Sequence, residues 1–501
     1  TRTGDGRLPE GNVEDWPDLP VRGVMIDVSR DKVPELPTLY ALIDRLAEWK
    51  VNQVQLYMEH TFAYAGHEEV WAGASPYTAA DVAALDTYCR ERHIELVPNQ
   101  NCLGHWERWL AHDRYRPLAI HPDGFDFFGR HRGPTTLDPS HPEARRLVAS
   151  LLEELLPNFG SRRVHLGLDE PWELPDDRFG DYLAWMDWLA SLEVMRGREP
   201  LAWGDVVISH PAAVGEVPPA FTVCEWGYEA GHPFAERLAA YAEAGRNVWV
   251  SPGTSSWLSL VGRWSNMTAN VAAAATAAVA AGAGGLLVTD WGDLGHLQYA
   301  SVSEPGFAYA AAVSWCAATN VGADLPAAVA AHAFADPTGA IGEVLQELGD
   351  VHTALVPQTP NASSLVRHLY RPESRVGVKA TSGLTAAQLD DVAARLDRVR
   401  AGLSRSAIGR DDGPVVVQEI GTAIDLLQVL VADAGHRLAG DLTLAGIPEA
   451  VRLGLAARID GVAAAHRDLW RARNRPGGLD DSVSWLTRLR DAYRTGVAAP
   501  R

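Results

Sequence analysis

Short apolar runs alternate with amphipathic stretches between residues 21 and 318 of the chain. Eight of these runs have the length and the β-branched and aromatic content of buried strands. The predicted strands are 21–28, 51–58, 94–100, 163–170, 200–207, 221–228, 247–253 and 284–291. The predicted helices are 36–50, 78–92, 142–156, 180–195, 233–244, 267–281 and 306–318. The connection 208–220 is short and rich in proline, which disfavours a helix there.

Strands that alternate with helices indicate βαβ units and a parallel sheet. Eight such units over about 300 residues predict an α/β fold, the (β/α)8 TIM barrel. A doubly wound open sheet is the rival, but it usually has fewer strands and often a glycine-rich phosphate turn. No G-x-G-x-x-G or P-loop pattern follows the first strand. The barrel is therefore favoured, and the long segment 104–140 after its third strand is expected to be a functional loop over the mouth.

The pattern changes beyond residue 350, where the strand signals end. The amphipathic helices predicted there are 385–403, 414–439, 448–473 and 482–497. The expected parts are an N-terminal extension 1–20, a barrel 21–350 and an α-helical C-terminal domain 351–501. The alanine-rich C-terminal helices are candidates for a homodimer interface and equally for packing on the barrel. The charged turn 473–482 is either a surface turn or a contact with the barrel or a neighbouring subunit.

The composition is that of a soluble globular protein, with 47% apolar and 22% charged residues. The net charge of −20 argues against nucleic acid and against an anionic membrane as partners, and it leaves a neutral sugar open. The 17 tryptophans suit carbohydrate binding as well as core packing. Residues 1–20 resemble neither a signal peptide nor an anchor, which favours a cytoplasmic location. The uncharged run 271–288 is better explained by a helix and a buried strand than by a membrane span.

Asp169 and Glu170 end the fourth predicted strand and are the most informative pair in the chain. Carboxylates are poor strand formers and are costly to desolvate. In a parallel barrel the carboxyl ends of the strands open into the active-site mouth, so the pair indicates acid–base chemistry on a polar substrate. A helix N-cap, with Pro171 in the first turn, is the alternative. Neighbouring residues of a regular strand face opposite sides, so a shared site requires a twist or a bulge.

Polar or aromatic side chains follow the other seven predicted strands as well. They are Asp27 and Arg30; Tyr57, Glu59 and His60; Asn99, Asn101 and His105; Trp203 and Asp205; Glu225, Trp226 and Tyr228; Ser251 and Trp257; and Asp290, Trp291 and Asp293. Carboxylates and arginines hydrogen-bond to sugar hydroxyls, and indole rings pack on the C–H face of a pyranose. The set therefore suits a sugar ring at the mouth of the barrel.

A metal centre is the main chemical alternative. The potential ligands His60, His105, His165 and His296 match no H-x-H or H-E-x-x-H spacing. No G-x-S-x-G elbow indicates a serine hydrolase. We therefore expect neither a metal nor a cofactor.

Four local motifs carry a resemblance to a known family. They are RGVMIDVSR at 22–30, GHWER at 104–108, HLGLDE at 165–170 and TDWGDLGH at 289–296. The barrel resembles glycoside hydrolase family 20, the β-N-acetylhexosaminidases. The family's His-x-Gly-x-Asp-Glu fingerprint is matched at His165, Gly167, Asp169 and Glu170. The resemblance covers residues 20–320 and leaves the C-terminal helices outside it.

The resemblance implies exo-acting hydrolysis of a terminal β-linked N-acetylglucosamine or N-acetylgalactosamine, with retention and with assistance from the substrate. The 2-acetamido oxygen would attack the anomeric carbon, with Glu170 as the general acid and base and Asp169 orienting the acetamido group. The implied sugar-binding residues are Arg22 at O3 and O4, His105, then Trp203, Trp226 and Trp291 around the acetamido group, and Asp293 at O4 or O6. A tryptophan-lined pocket is expected to raise the pKa of Glu170.

The chain departs from the family pattern after the seventh strand. Family members usually carry a Tyr-x-Asp motif there, whose tyrosine hydroxyl binds the acetamido oxygen. This chain has Trp257, Leu258 and Ser259 instead. We expect Trp257 to contact substrate and either Tyr57 or Tyr228 to supply the hydroxyl, unless the 2-substituent differs.

Two other functions compete with this interpretation. One is a retaining glycosidase in which Glu225 or Asp293 acts as the nucleophile, about 5–5.5 Å from Glu170. The other is a non-catalytic barrel that binds sugar without turnover. The intact pair of Asp169 and Glu170 favours an enzyme over a binding protein.

Overall fold

A closed barrel of eight parallel strands forms the centre of the fold. The computed structural model describes residues 14–30, 32–127, 129–378 and 381–498. The strands are β1 Val21–Asp27, β2 Gln53–Met58, β3 Glu95–Gln100, β4 Phe125–Phe127, β5 Arg130–Arg132, β6 Arg163–His165, β7 Glu199–Trp203, β8 Thr222–Trp226, β9 Asn247–Ser251 and β10 Gly285–Asp290. The barrel order is β1-β10-β9-β8-β7-β6-β3-β2, and β4 and β5 form a separate antiparallel hairpin. The predicted (β/α)8 barrel is confirmed.

The helices between the strands cover the barrel. They are Leu36–Glu48, Ala79–Arg90, Pro142–Leu155, Phe179–Ser191, Phe234–Glu243, Trp264–Ala281 and Ala300–Trp315. Local signals set several boundaries: Thr78 and Asp81 form a capping box, and Pro142 occupies the first turn of its helix. The proline-rich fifth connection holds only a four-residue helix, Asp205–Ile208, and a short 3-10 segment, Pro211–Glu216.

The strand β6 is shorter than predicted, because it ends at His165 instead of Glu170. Gly167 has φ +69° and Leu168 has φ +74°, both far from the β region. The backbone therefore leaves the ladder before the two carboxylates.

Beyond residue 350 the structure is helical, as predicted. The long helices are Ala386–Leu403, Gly413–Ala439, Glu449–Arg473 and Leu479–Thr495, and the first starts at a capping box of Thr385 and Gln388. The helix Ala340–Gly349, which the predicted boundary assigns to the barrel, packs on both Trp264–Ala281 and Ala386–Leu403. Of the expected extension 1–20, residues 14–20 are described and residues 1–13 lie outside the described part of the chain.

Helix Gly413–Ala439 has the length and hydropathy of a membrane span, the one such helix among the described residues. In its most apolar window 61% of the residues are buried inside the fold. It also carries a fully buried ion pair between Asp433 and Arg437, 2.9 Å apart, and His368 lies 2.9 Å from the same carboxylate. Burial of this kind is typical of the core helix of a helical domain.

The charged turn 473–482 contacts the barrel, which confirms one of the two interpretations of this turn. The Arg475 guanidinium donates to the Pro76 carbonyl at 2.6 Å, and the Gly477 amide donates to the Ser75 hydroxyl at 2.9 Å. At the start of the last helix, Asp481 pairs with Arg108 at 3.1 Å. The C-terminal helices are thereby fixed beside the loops that follow β2 and β3.

Candidate active site

Asp169 and Glu170 line one pocket at the C-terminal end of the barrel, although they are adjacent in sequence. The two side chains can share a site because the backbone after β6 is irregular. Glu170, like Gly167 and Leu168 before it, has a positive φ, here +47°. At Gly167 a Cβ would come within 2.6 Å of the Asn101 side chain, so glycine is required for this path. In a regular strand the two carboxylates would point to opposite faces of the sheet. Because the strand ends before them, both can face the pocket.

The loop after β3 presses directly on this bend. A Cβ at Gly104 would lie 2.2 Å from the carbonyl oxygen of Asp169. Glu173, just beyond the pair, accepts hydrogen bonds from the backbone amides of Thr135 at 2.6 Å and Thr136 at 2.9 Å. The long loop 104–140 is therefore fastened on both sides of the carboxylates.

Gly104→Ala is expected to lower the free energy of unfolding by about 1–3 kcal/mol, because the methyl group must displace backbone. Activity should fall as well, since the displaced atom belongs to Asp169. The matched control is Gly133→Ala in the same loop, where nothing lies within 4 Å of the added Cβ. Urea unfolding of both variants checks this, and equal stabilities would contradict the close approach.

Asp169 is held as a carboxylate. Its Oδ1 accepts from the Asn101 amide at 2.7 Å, and its Oδ2 lies 3.1 Å from Nε2 of His105. Burial alone would raise the pKa of Asp169, but the ion pair and hydrogen bond with His105 lower it below the usual range.

His105 bridges the two carboxylates. Its Nε2 also lies 3.5 Å from Oε2 of Glu170. Burial disfavours the imidazolium, but Asp169 and Glu170 outweigh burial and raise the pKa of His105 well above its ordinary value. The loop histidine is therefore a cation placed between the two acids.

Glu170 is the more accessible of the two acids, with 35% of its side chain exposed against 9% for Asp169. Its backbone amide donates to Oδ2 of Asp205 at 3.0 Å, and Oδ1 of Asp205 accepts from the Trp226 indole at 3.2 Å. Burial, and then the charge of Asp169, raise the pKa of Asp205 to about 7. Asp205 thus positions both Glu170 and Trp226, which lines the pocket.

Comparison of wild type with an Asp205→Asn variant should show the raised pKa of Asp205 as a difference in how the free energy of unfolding depends on pH. The folded protein keeps the Asp205 proton up to about pH 7, whereas the unfolded chain loses it near the ordinary aspartate pKa of 3.8. Raising the pH across this window therefore favours the unfolded wild type. Relative to the variant, wild type should lose about 2–3 kcal/mol between pH 5 and pH 8. Urea titrations at four pH values check this, and a constant difference between the proteins would refute it.

Arg30, and not Arg22, is the arginine of the pocket. Arg22 is the second residue of β1 and lies at the opposite end of the barrel, where it donates to the carbonyls of Lys50 at 2.8 Å and Leu19 at 3.0 Å. Its expected contact with O3 and O4 is therefore wrong. The useful signal was position, because residues at the start of a barrel strand lie at the end opposite the mouth.

The guanidinium of Arg30 is held from several sides. It pairs with Asp27 at 3.1 Å and with Glu59 at 3.2 Å. It also lies 5.0 Å from the ring centre of Tyr57 and 5.3 Å from that of Trp291. These contacts aim one fixed cation at the pocket.

Aromatic rings form the walls, and Trp203, Trp226, Trp291 and Tyr228 all line the pocket as expected. Tyr228 stacks on Trp226 with ring centres 5.1 Å apart, and its hydroxyl oxygen accepts from the Trp291 indole at 2.7 Å. Trp257 is 1% exposed and packs edge-on behind Tyr228 at 5.0 Å. The expected direct contact of Trp257 with substrate is therefore corrected to support of Tyr228.

Asp293 and Asn361 complete the pocket lining. Burial raises the pKa of Asp293 to about 6, against the opposing charge of Arg30. Asn361 comes from the segment that precedes the C-terminal helices, where its backbone amide donates to Glu229 at 2.6 Å. Sequence reasoning missed Asn361, because it follows no strand and belongs to no recognisable motif.

Glu225 lies away from the pocket. It is fully buried and pairs with His232 at 3.0 Å and with Arg237 at 2.8 Å, on the helix side of β8. The alternation along β8 sends this carboxylate outward while Trp226 reaches the mouth.

Within the described part of the chain, one group of side chains has metal-ligand proximity. It consists of His105, Asp169 and Glu170, whose potential ligand atoms lie within 4.8 Å of one another. The ion pairs made by His105 account for this proximity. Burial lowers the pKa of His60, His165 and His296 to about 3 each, and His296 bonds to the Asp27 carbonyl at 2.7 Å. They act as neutral structural groups.

Comparison with known proteins identifies the barrel. The model of the glycosyl hydrolase family 20 catalytic domain matches residues 19–282. A beta-hexosaminidase of Akkermansia muciniphila is 28% identical over 189 residues, which are 33% of this chain and 38% of that protein. Beta-hexosaminidase 1 of Coccidioides posadasii is 22% identical over 293 residues, 48% of this chain and 47% of that protein.

The chain spans less than half the length of these two relatives. The solved structure of the family 20 β-N-acetylhexosaminidase from Streptomyces coelicolor is 20% identical with a TM-score of 0.48, over 66% of this chain and 69% of that one. The family model itself covers more than half of the chain and includes Asp169 and Glu170. The chain therefore belongs to glycosyl hydrolase family 20, as the resemblance implied.

Proposed function

We propose that this protein hydrolyses β-linked N-acetylhexosaminides, with retention and with assistance from the 2-acetamido group. One observation carries the proposal: a fixed carboxylate, Asp169, stands beside a more accessible acid, Glu170, in a pocket walled by tryptophan. A carboxylate that is held ionised suits an N–H group that gains positive charge during reaction.

The reaction has two steps. Glu170 gives its proton to the glycosidic oxygen while the acetamido oxygen attacks the anomeric carbon, so the aglycone leaves as an alcohol and an oxazoline forms. Glu170 then takes a proton from water, which attacks the same carbon and reopens the ring. Each step inverts the anomeric centre, so the product retains the β configuration. Asp169 accepts from the acetamido N–H and stabilises the cationic oxazoline.

The remaining carboxylates are less suited to act as a nucleophile. Glu225 is buried in ion pairs outside the pocket. Asp293 lines the pocket together with Arg30, and this arrangement suits hydrogen bonding of both side chains to ring hydroxyls. Arg30 and Asp293 are therefore assigned to the ring hydroxyls O3 and O4.

Tyr228 is assigned to the acetamido carbonyl. Its oxygen already accepts from the Trp291 indole, so its own proton is available to donate into the pocket. Tyr57 is less suitable, because its hydroxyl donates to Glu59 at 3.0 Å and its ring is fully buried.

Release of p-nitrophenol from the β-N-acetylglucosaminide, the β-N-acetylgalactosaminide and the plain β-glucoside tests the proposal. We expect turnover of at least one acetamido substrate with retention seen by NMR, and turnover of the glucoside at least about 100-fold slower. Equal rates on the glucoside would indicate an enzyme nucleophile. Binding of N-acetylhexosamine without any turnover would indicate a sugar-binding barrel. The ratio of the two acetamido substrates would set the C4 preference.

A further inference from the structure

Among the described residues that line the catalytic pocket, Asn361 is the polar one that the proposed reaction leaves without a role. It lies outside the family-matched residues 19–282, in the segment that precedes the C-terminal helices. Its side-chain amide hydrogen-bonds to no other residue in the part of the chain that the structure describes. The acceptor and the two donors of this amide are therefore free to meet a substrate.

The backbone around Asn361 is fixed, although its side chain is free. Glu229 accepts from the Asn361 backbone amide at 2.6 Å and pairs with Arg263 at 2.7 Å. Arg263 also donates to the Thr359 carbonyl at 3.2 Å. Asn361 itself has a φ of +54°, which asparagine tolerates better than most residues. The segment therefore presents the amide to the pocket from a fixed position.

The order of the strands around the mouth shows on which side of the sugar Asn361 lies. From β6, which precedes the two acids, one side of the mouth leads through β3 to His105, and the other leads through β7 and β8 to Tyr228. Asn361 lies on the second side, because it lines both the pocket and the neighbouring cleft together with Tyr228. The two sides meet again at β1 and β10, which are followed by Arg30 and Asp293.

Each edge of the sugar ring faces one of these two sides. In the proposed function, C1 faces Glu170, and O3 and O4 face the residues after β1 and β10. Asp169, which holds the acetamido N–H, is itself bonded to His105, so the C2 edge of the ring faces the β3 side. The attacking carbonyl folds beneath C1, which is compatible with its contact to Tyr228. The opposite edge, with C5 and its hydroxymethyl group, then faces β8 and Asn361.

We propose that the side-chain amide of Asn361 binds the 6-hydroxyl of the N-acetylhexosamine and makes the enzyme selective for substrates that carry this hydroxyl. The inference rests on the proposed function for the orientation of the sugar. A hydroxyl can donate to Oδ1 or accept from Nδ2, so it matches a neutral amide that has no other partner. The segment before the C-terminal helices thereby completes a site that is otherwise built on the barrel.

The test compares the better of the two p-nitrophenyl β-N-acetylhexosaminides with its 6-deoxy analogue, which lacks the hydroxyl and keeps the rest of the sugar. We expect wild type to prefer the 6-hydroxyl substrate about tenfold in kcat/KM, the size of one hydrogen bond. Equal kcat/KM for the two substrates would overturn this inference and leave the proposed function standing. Hydrolysis of neither would overturn both.

Asn361→Gly assigns the preference to this side chain, because glycine removes the amide and adopts the positive φ without strain. The preference should disappear through a loss on the 6-hydroxyl substrate, while kcat/KM for the 6-deoxy substrate stays that of wild type. Thr359→Ala is the matched control in the same segment, since the Thr359 hydroxyl bonds to Ser364 at 2.9 Å and does not line the pocket. This control should keep the wild-type preference. The same preference in Asn361→Gly would overturn the assignment.

Discussion

Glu170→Gln is expected to lower kcat toward p-nitrophenyl N-acetylhexosaminides by about 10³-fold, because the amide can neither protonate the leaving oxygen nor deprotonate water. The fold should survive, since the Glu170 side chain is partly exposed and the contact with Asp205 uses its backbone amide. Equal unfolding midpoints for wild type and variant would establish that the loss is chemical.

The leaving group supplies an internal control for Glu170→Gln. A 2,4-dinitrophenyl aglycone departs without a proton, so the first step of the variant should be nearly as fast as in wild type with this substrate. Pre-steady-state release of dinitrophenol should then show a burst, followed by slow turnover as the oxazoline awaits water. A loss of less than about tenfold with every substrate would mean that another group is the acid.

Asp169→Asn is expected to reduce kcat by about 100–1,000-fold, the size of the loss when a preorganised charge facing the transition state is removed. Substitution also removes the counter-ion that raises the pKa of His105. The variant therefore loses the stabilised oxazolinium and the protonated bridge between the two acids.

Fluorination of the acetamido methyl group of the substrate tests whether the acetamido oxygen is the nucleophile that Asp169 assists, or whether Asp169 only positions the sugar. Each fluorine makes the carbonyl oxygen a weaker nucleophile, so wild-type kcat should fall steeply from acetyl to trifluoroacetyl substrates. Asp293→Asn should keep this dependence while binding sugar less tightly, because it is assigned to ring hydroxyls. An Asp169→Asn variant with wild-type kcat, or a wild type insensitive to fluorination, would refute assistance by the substrate.

Periodicity predicted the barrel because each strand and helix carries its own local pattern. The bend that unites the carboxylates depends on positive φ at Leu168 and Glu170, which no residue type announces. Gly167 is the one residue there whose type favours such a bend. The two arginines of one motif lie toward opposite ends of β1: Arg22 is near its start, whereas Arg30 follows its last residue and lines the pocket.

Tertiary packing decided the other differences. Trp257 follows β9 as a substrate contact would, yet Tyr228 from β8 stands in front of it. Asn361 and Asp481 reach the mouth from segments with no strand pattern, through contacts with Glu229 and Arg108. Such residues are found only when distant parts of the chain are seen together.

The contact of Asp481 with Arg108 ties the C-terminal helices to the loop that carries His105. The acid pair lies within the family-matched residues 19–282, while the helix beside the mouth begins nearly 200 positions later. Substitutions in that helix can therefore disturb the loop beside the acid pair without altering the two carboxylates themselves.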